Sequence, residues 1–380
     1  MYLTNNEHIT PPKNTKSRES NLELLRILAM LSIIAHHYVV NSGIADSFVY
    51  DQNITSQQLF LEIWGMWGKT GINAFILISG YFLCKMRLTL RRYVKLLIQI
   101  FFYGVAIMLF FTAFDYQQLT LKILFNKTFC LFRYVNRDFV ASFMAFYAFV
   151  PVYNIIIKNT SSQNLLYLVL GLLFYSSICS TFFLAPTMFE PLWYATLYLV
   201  AAHIRLYPNQ WTENWKISSI VLTASVLSAI LSCLLMIHMA VKTGETLFSS
   251  FRWHMVADSN RFLAFMIGLS SFITAKNFKI GHSKIINGLA SGCFGVLLIH
   301  ASSDTMRQWL WQDVCKVPTM IDADMPILIA HAAAIPIIIF LICSFIDHFY
   351  KRFIEPFIMN IIFHEQKNEL TGDYKNQTVQ

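Results

Sequence analysis

The segment NLELLRILAMLSIIAHHYVV (residues 21–40) decides the fold, because it is apolar enough to cross a membrane and yet contains an arginine and a histidine. Arg26 and His37 are eleven residues apart, which places them about 20° apart around an α-helix and roughly 16 Å apart along its axis. A charge at the centre of a membrane helix costs about 2.5–3.5 kcal/mol on insertion scales, so such residues usually face a protein interior or a wet cavity. We therefore predict that this face of the helix is functional.

The composition indicates an integral membrane protein. Hydrophobic residues make up 56% of the 380 residues and charged residues only 13%, whereas roughly a quarter of an average soluble domain is charged. The sequence predicts an all-α polytopic membrane protein with about ten transmembrane helices. The ten apolar runs that are long enough to span a bilayer are 24–40, 60–83, 93–114, 139–157, 164–184, 191–205, 216–241, 261–276, 286–301 and 326–347.

The positions of lysine and arginine predict the orientation, because these residues are enriched in cytoplasmic loops. If ten helices alternate, the basic residues of the N-terminal tail, of the loop around Arg91 and Arg92 and of the segment after the last helix fall on one side. Both termini are therefore predicted to be cytoplasmic. The loop 115–138 is an exception, since it is basic on the predicted outer side. It is either a solvated loop whose topology the other loops dictate or a contact for an anionic glycan or lipid.

One membrane domain is predicted over residues 21–357. It lies between a cytoplasmic N-terminal tail at 1–20 and a cytoplasmic C-terminal tail at 358–380, whose polar sequence is typical of disorder. The seven cysteines have no CxxC spacing and no metal-binding motif is present, so we predict no metal site. No basic run with interleaved aromatic residues indicates nucleic-acid binding.

The arrangement LLRILAMLSIIAHHY (24–38), an arginine followed by ten residues and a histidine, resembles the first helix of the membrane acyltransferase-3 family. Further segments resemble later parts of that family in the same order: GINAFILISGYFL (71–83), RRYVK (91–95), SFMAFYAFVPVYN (142–154), LWYATLYLVAAHIRLYP (192–208) and SGCFGVLLIHA (291–301). Together these matches cover roughly residues 18–357. The chain departs from the family at the second residue of an Arg-x-x-Arg pair, where it has Lys95.

This resemblance implies a bacterial multi-pass enzyme of the cytoplasmic membrane. It would move an acetyl group from cytosolic acetyl-CoA to a hydroxyl of an extracytoplasmic envelope, capsular or exopolysaccharide glycan. Acetyl-CoA is then a substrate rather than a permanently bound cofactor, and the other expected partners are a polysaccharide or lipid-linked glycan, membrane lipids and a glycan-synthesis complex. Two alternatives are a polysaccharide-precursor transporter or flippase and a non-catalytic membrane partner of a glycan synthase.

His37 is the candidate catalytic base, because imidazole accepts protons near neutral pH and could take the proton of a sugar hydroxyl. His36 is rotated by about 100° from His37 and is interpreted as a packing neighbour, although either histidine could act as a base or carry the acyl group. His300 ends the ninth predicted helix at the depth of His37. We assign it to the catalytic residues, where it would orient His37 or bind the sugar, and an interfacial histidine is the alternative.

Cations at the predicted cytoplasmic mouth are candidates for binding the phosphates of acetyl-CoA. Arg92 and Lys95 lie on one helical face through their i, i+3 spacing, and Arg91 and Arg26 are further candidates. The positive-inside rule explains the residues at 91–95 equally well.

Residues at the predicted outer end of the sixth helix are candidates for binding the glycan. Glu190 could hydrogen-bond the sugar, and the rings of Trp193 and Tyr194 could stack on its faces. An aromatic belt at the membrane interface is the alternative for these two rings.

Overall fold

The structure is a computed structural model that describes residues 19–119, residue 125 and residues 131–363. Several predictions therefore lie outside the described residues: most of the N-terminal tail, the C-terminal tail from residue 364 onward, and Lys122 and Lys127 of the basic loop. The described residues form helices and connecting loops and contain no strand. This confirms the all-α prediction for the part of the chain that the structure describes.

The helices are numbered here in chain order: α1 (Ser20–Val40), α2 (Ser56–Gly65), α3 (Gly68–Leu83), α4 (Leu90–Ala113), α5 (Phe139–Ala148), α6 (Val150–Asn159), α7 (Ser162–Leu173), α8 (Glu190–Leu206), α9 (Trp215–Thr243), α10 (Thr246–Ser250), α11 (Phe262–Asn277), α12 (Lys284–Ser291), α13 (Cys293–His300), α14 (Asp304–Gln308) and α15 (Met325–Phe349). Short π-helical segments extend three of them, so that α7 continues to Phe182, α14 to Val314 and α15 to Phe363.

Five described helices are long and apolar enough to cross a membrane, and two bent helix pairs raise this number to seven. The five are Ser20–Val40, Leu90–Ala113, Ser162–Phe182, Trp215–Thr243 and Met325–Phe363. The bent pairs are α5 with α6, which meet at 48°, and Lys284–His300 with Asp304–Val314, which meet at 100°. Helices cover all ten predicted apolar runs, but the count of ten spans and the cytoplasmic position of both termini stay predictions.

The apolar run 60–83 forms two helices rather than one, with a break at Met66 and Trp67. The break is flanked by Gly65 and Gly68, and glycine is a weak helix former. Both glycines are needed for packing, because a Cβ on Gly65 would lie 2.8 Å from the Cβ of Val39 and a Cβ on Gly68 would overlap the ring of His36. The two glycines therefore let the α2–α3 junction approach α1.

Helix α1 lies at the centre of the bundle, where it contacts α2, α3, α11, α12, α13 and α15. It runs antiparallel to α3, since the Arg26 guanidinium lies 5.9 Å from the ring centre of Phe75 while Gly68 faces His36 at the opposite end of α1. The predicted functional face of α1 is therefore turned toward neighbouring helices.

Helix α13 runs parallel to α1. At its start the Cys293 Sγ lies 3.7 Å from the backbone oxygen of Arg26, and at its end His300 contacts His37. We call the end of the bundle that holds these two histidines the histidine end. The opposite end, which holds Arg26 and the start of α4, is called the arginine end.

Helix α8 runs parallel to α3 and so begins at the histidine end. Its Trp193 indole donates a hydrogen bond of 2.9 Å to Asn73 near the start of α3, and Gly80 near the end of α3 faces the backbone of Tyr198. Glu190, the first residue of α8, consequently lies at the same end of the bundle as His37.

Candidate active site

Two histidines from separate helices form the centre of the site. His37 lies in the last turn of α1 and His300 is the final residue of α13. The His37 Nδ1 lies 3.0 Å from the His300 Nε2, and the ring centres are 5.1 Å apart. The parallel packing of α1 and α13 therefore brings together two residues that are 263 positions apart in sequence.

The backbone carbonyl of Val296 fixes the hydrogen positions in this pair. It lies 2.6 Å from the His300 Nδ1, and a carbonyl oxygen can only accept, so this nitrogen carries the hydrogen. The Nε2 of a neutral His300 is then an acceptor, and His37 donates to it through Nδ1. The remaining nitrogen of His37, Nε2, therefore carries a free lone pair.

The two histidines differ in accessibility. His300 is 1% exposed, whereas His37 is only partly buried. His37 thus keeps some accessible surface, whereas His300 keeps almost none. This arrangement gives His37 the geometry of a base and gives His300 the geometry of a residue that orients it.

His36 is held in a structural position beside this pair. Its Nδ1 donates to the Gly65 carbonyl at 2.5 Å, and its ring lies 6.1 Å from the indole of Trp253. Gly68 leaves the space that the ring occupies. His36 thus connects α1 to the α2–α3 junction, which agrees with the interpretation of His36 as a packing neighbour.

A buried ion pair lies next to the α2–α3 junction. Glu62 is fully buried and its carboxylate lies 2.8 Å from the Arg252 Nε, while the Tyr50 hydroxyl donates to the same carboxylate. The Trp253 indole donates to the backbone oxygen of Glu62 at 3.1 Å. This network holds α2 and the segment before α11 against the histidine end. The network was not predicted, although an acidic residue inside an apolar run was a visible signal.

Arg26 is paired with a carboxylate that the sequence analysis overlooked. Its Nη1 lies 2.6 Å from the Oε2 of Glu23, which is 4% exposed. The i, i+3 spacing of these residues was the available signal. The positive charge of Arg26 is therefore largely compensated within α1.

A second buried carboxylate, Asp347, lies where α4, α13 and α15 meet. It accepts from the Gln99 amide at 2.7 Å and from the Tyr103 hydroxyl at 3.0 Å, and it lies 2.7 Å from the Lys351 Nζ. A Cβ on Gly295 of α13 would overlap this carboxylate. Asp347 is thus a polar contact between three helices, which sequence periodicity alone could not predict.

The predicted phosphate-binding residues lie at the start of α4, at the arginine end. Lys95 forms an ion pair of 2.7 Å with Glu355, and the Arg91 guanidinium lies 5.5 Å from the ring centre of Phe363. Both contacts hold the extension of α15, which continues past the predicted domain boundary at 357. Arg92 donates at 3.2 Å to the backbone oxygen of Arg87 and forms no ion pair with a described residue.

The predicted glycan-binding residues occupy the start of α8. Trp193 is 1% exposed and packs edge-on against Phe265, and Tyr194 is fully buried beside Phe139. Neither ring has a face open for stacking on a sugar, whereas Glu190 is only partly buried. Glycan binding by these three residues stays a prediction.

The site is therefore divided between two ends of the bundle. His37, His300 and Glu190 lie at the histidine end, and the four predicted phosphate-binding residues lie at the arginine end. Among the residues that the structure describes, no group of three histidine, cysteine or acidic side chains could hold a metal ion.

Comparison with known proteins identifies one matching protein family. A family model described as an acyltransferase domain matches residues 19–347, which spans both histidines, Arg26 and the start of α4. No curated protein sequence and no solved structure matches the chain significantly.

Proposed function

The chain belongs to the acyltransferase-3 family, and from this premise we propose that it is an O-acetyltransferase of the cell membrane. It takes an acetyl group from cytosolic acetyl-CoA and transfers it to a hydroxyl of an extracytoplasmic envelope, capsular or exopolysaccharide glycan. The observation that carries the proposal is the hydrogen-bond chain from His37 through His300 to the Val296 carbonyl, which leaves the His37 Nε2 free to accept a proton.

The proposed reaction begins when the His37 Nε2 takes the proton of the acceptor hydroxyl. The hydroxyl oxygen then forms a bond to the acetyl carbon, and the carbonyl electrons move onto the carbonyl oxygen. When this intermediate collapses, the bond to the CoA sulfur breaks and the thiolate takes the proton from His37. During these steps the His300 Nε2 accepts a hydrogen bond from the Nδ1–H of His37, which stabilises the protonated His37 ring and keeps its orientation.

The donor would enter from the arginine end. Of the four predicted phosphate-binding residues, Arg92 has the most available charge. Lys95 is paired with Glu355 and Arg26 with Glu23, and the Arg91 guanidinium lies over the ring of Phe363. Guanidinium groups bind phosphate oxygens through two parallel hydrogen bonds. We therefore assign the CoA phosphates first to Arg92, with Arg91 and Lys95 beside it and Arg26 along the route to His37.

The acceptor would enter from the histidine end. His37 is only partly buried there, and Glu190 begins α8 at the same end. A carboxylate accepts hydrogen bonds from sugar hydroxyls. We assign Glu190 to acceptor binding and give Trp193 and Tyr194 the task of holding the start of α8 in place, as their burial supports.

Proteoliposomes test this function. The purified protein is reconstituted with radiolabelled acetyl-CoA on one side of the membrane and a polysaccharide acceptor on the other, and the product is analysed for O-acetyl esters. We expect label in the glycan only when the donor faces the arginine end. Movement of unmodified glycan across the membrane without labelling would instead indicate a transporter or flippase and contradict the proposal.

A further inference from the structure

Two cationic side chains approach the histidine pair and have no role in the chemistry described so far. Lys69 is the second residue of α3, and Arg307 lies in α14 after the sharp bend that follows α13. Gly68, the residue before Lys69, packs against the His36 ring, and Arg307 follows His300 across the 100° bend. Both cations therefore belong to the histidine end, and both act electrostatically on His37. They come from different elements, so the fold rather than one helix places them there.

Lys69 is partly buried without a counter-ion. It forms no ion pair or side-chain hydrogen bond with any residue in the described ranges. An ammonium group that is withdrawn from water is costly unless an opposite charge compensates it. The chain nevertheless places this lysine in the first turn of α3, where a negative charge that forms during the reaction would compensate it.

Arg307 has only a weak partner. Its Nη1 lies 2.9 Å from the Oδ1 of Asp304, whose side chain is 98% exposed, and exposed ion pairs contribute little because water screens them. The Nε of Arg307 is buried and has no hydrogen-bond acceptor among the described residues. A donor atom in that state can bind an anion at little further desolvation cost.

The proposed reaction creates negative charge beside His37. When the acceptor oxygen attacks the acetyl carbon, the carbonyl oxygen becomes an oxyanion and remains one until the bond to sulfur breaks. Charges already positioned around such an oxyanion are usually the largest single contribution to catalysis. His37 is the base in this step, so the oxyanion forms within a few ångströms of its Nε2.

We propose that Lys69 and Arg307 stabilise this oxyanion and are catalytic residues of the transfer reaction. The inference rests on the proposed function, because it needs an acyl carbonyl to be attacked at His37. It explains why Lys69 lacks a carboxylate partner and why the Arg307 Nε is buried without an acceptor. A carboxylate in either place would neutralise the charge that the reaction needs.

Steady-state kinetics of acetyl transfer test the proposal with Lys69→Met and Arg307→Met. Each variant is expected to lose about 10²–10³-fold in kcat, as removal of one oxyanion donor commonly does, with KM for both substrates nearly unchanged. Lys69→Arg and Arg307→Lys should recover much of the loss, because they restore the charge. Lys316→Met is the matched control, since Lys316 is an exposed lysine in the loop before α15, and it should behave as wild type.

Membrane level and thermal unfolding midpoint are measured for every variant. If a methionine variant does not fold, Lys69→Gln and Arg307→Gln carry the same expectation with a polar side chain. Wild-type kcat in both neutralised variants would overturn this inference while leaving the proposed function intact. Wild-type kcat in one of them would remove that residue from the assignment. Absence of transfer by the wild-type protein would overturn the proposed function and this inference with it.

Discussion

The His37 Nδ1–H donates a hydrogen bond of 3.0 Å to the Nε2 of His300, and this bond leaves the Nε2 of His37 with a free lone pair. His300 is in turn fixed by the Val296 carbonyl, so the orientation of both rings depends on the backbone of α13. A residue with this role should affect turnover without touching either substrate.

His300→Leu should therefore lower kcat by about 10²-fold, since loss of orientation at a reacting group has effects of this size, while KM values change little. His300→Gln keeps an acceptor for the His37 Nδ1 and should recover part of the activity. The informative readout is the pH–rate profile of His300→Glu. A carboxylate against His37 favours the protonated ring, so the acidic limb should move to higher pH. An unshifted limb in a folded His300→Glu variant would argue against the contact.

Gly68→Ala should destabilise the protein by about 1–3 kcal/mol, the usual range for overpacking. The added Cβ would overlap the His36 ring and force α3 away from α1. Gly104→Ala is the control, because a Cβ at Gly104 meets nothing within 4 Å and alanine favours the helix. The thermal unfolding midpoints of Gly68→Ala and Gly104→Ala are measured in detergent. Equal midpoints for the two variants would show that the α1–α3 contact is looser than described.

Asp347→Asn should be strongly destabilising, by about 3–5 kcal/mol, because removing one partner leaves the other charge of a buried pair uncompensated. The partial exposure of Lys351 places the expected loss at the lower end of this range. Asp304→Asn is the control, since its exposed pair with Arg307 should contribute little to stability. Similar unfolding midpoints for both variants would indicate that the contacts of Asp347 contribute little to the stability of the helix bundle.

Arg92→Gln should raise the KM for acetyl-CoA with a smaller change in KM for the acceptor, because Arg92 has the most available charge at the arginine end. Arg92→Lys should also be impaired, since an ammonium group cannot reproduce the planar geometry of guanidinium on phosphate. Lys95→Arg should be tolerated because it keeps the pair with Glu355. Titration of acetyl-CoA in vesicles open to the donor side measures these effects. A wild-type donor KM in Arg92→Gln would exclude Arg92 from phosphate binding.

Structural features that depend on local periodicity could be predicted from the sequence, whereas features that depend on contacts between distant residues could not. The spacing of Arg26 and His37 was sufficient to predict a shared face on α1. Apolar patterning could not predict the break at Trp67, since it depends on how Gly68 packs against α1. The burial of Trp193 was equally hidden, because its partner Asn73 lies 120 positions away.

The partners of the predicted cations show the same limit. Glu23 lies one turn from Arg26 and could have been found from its spacing, whereas Glu355 pairs with Lys95 only because the extended α15 packs beside α4. The tautomer of His37 could not be predicted from the sequence at all, because it depends on the backbone carbonyl of Val296 through His300.

The catalytic role of His37 is tested most directly by comparing kcat/KM for acetyl transfer in wild type, His37→Ala and His238→Ala at equal membrane levels. His238 is an exposed histidine in α9 and serves as the matched control. We predict a loss of about 10²–10⁴-fold for His37→Ala, the range for one positioned acid–base group, and wild-type activity for His238→Ala. Transfer by a folded His37→Ala variant at the wild-type rate would contradict the account.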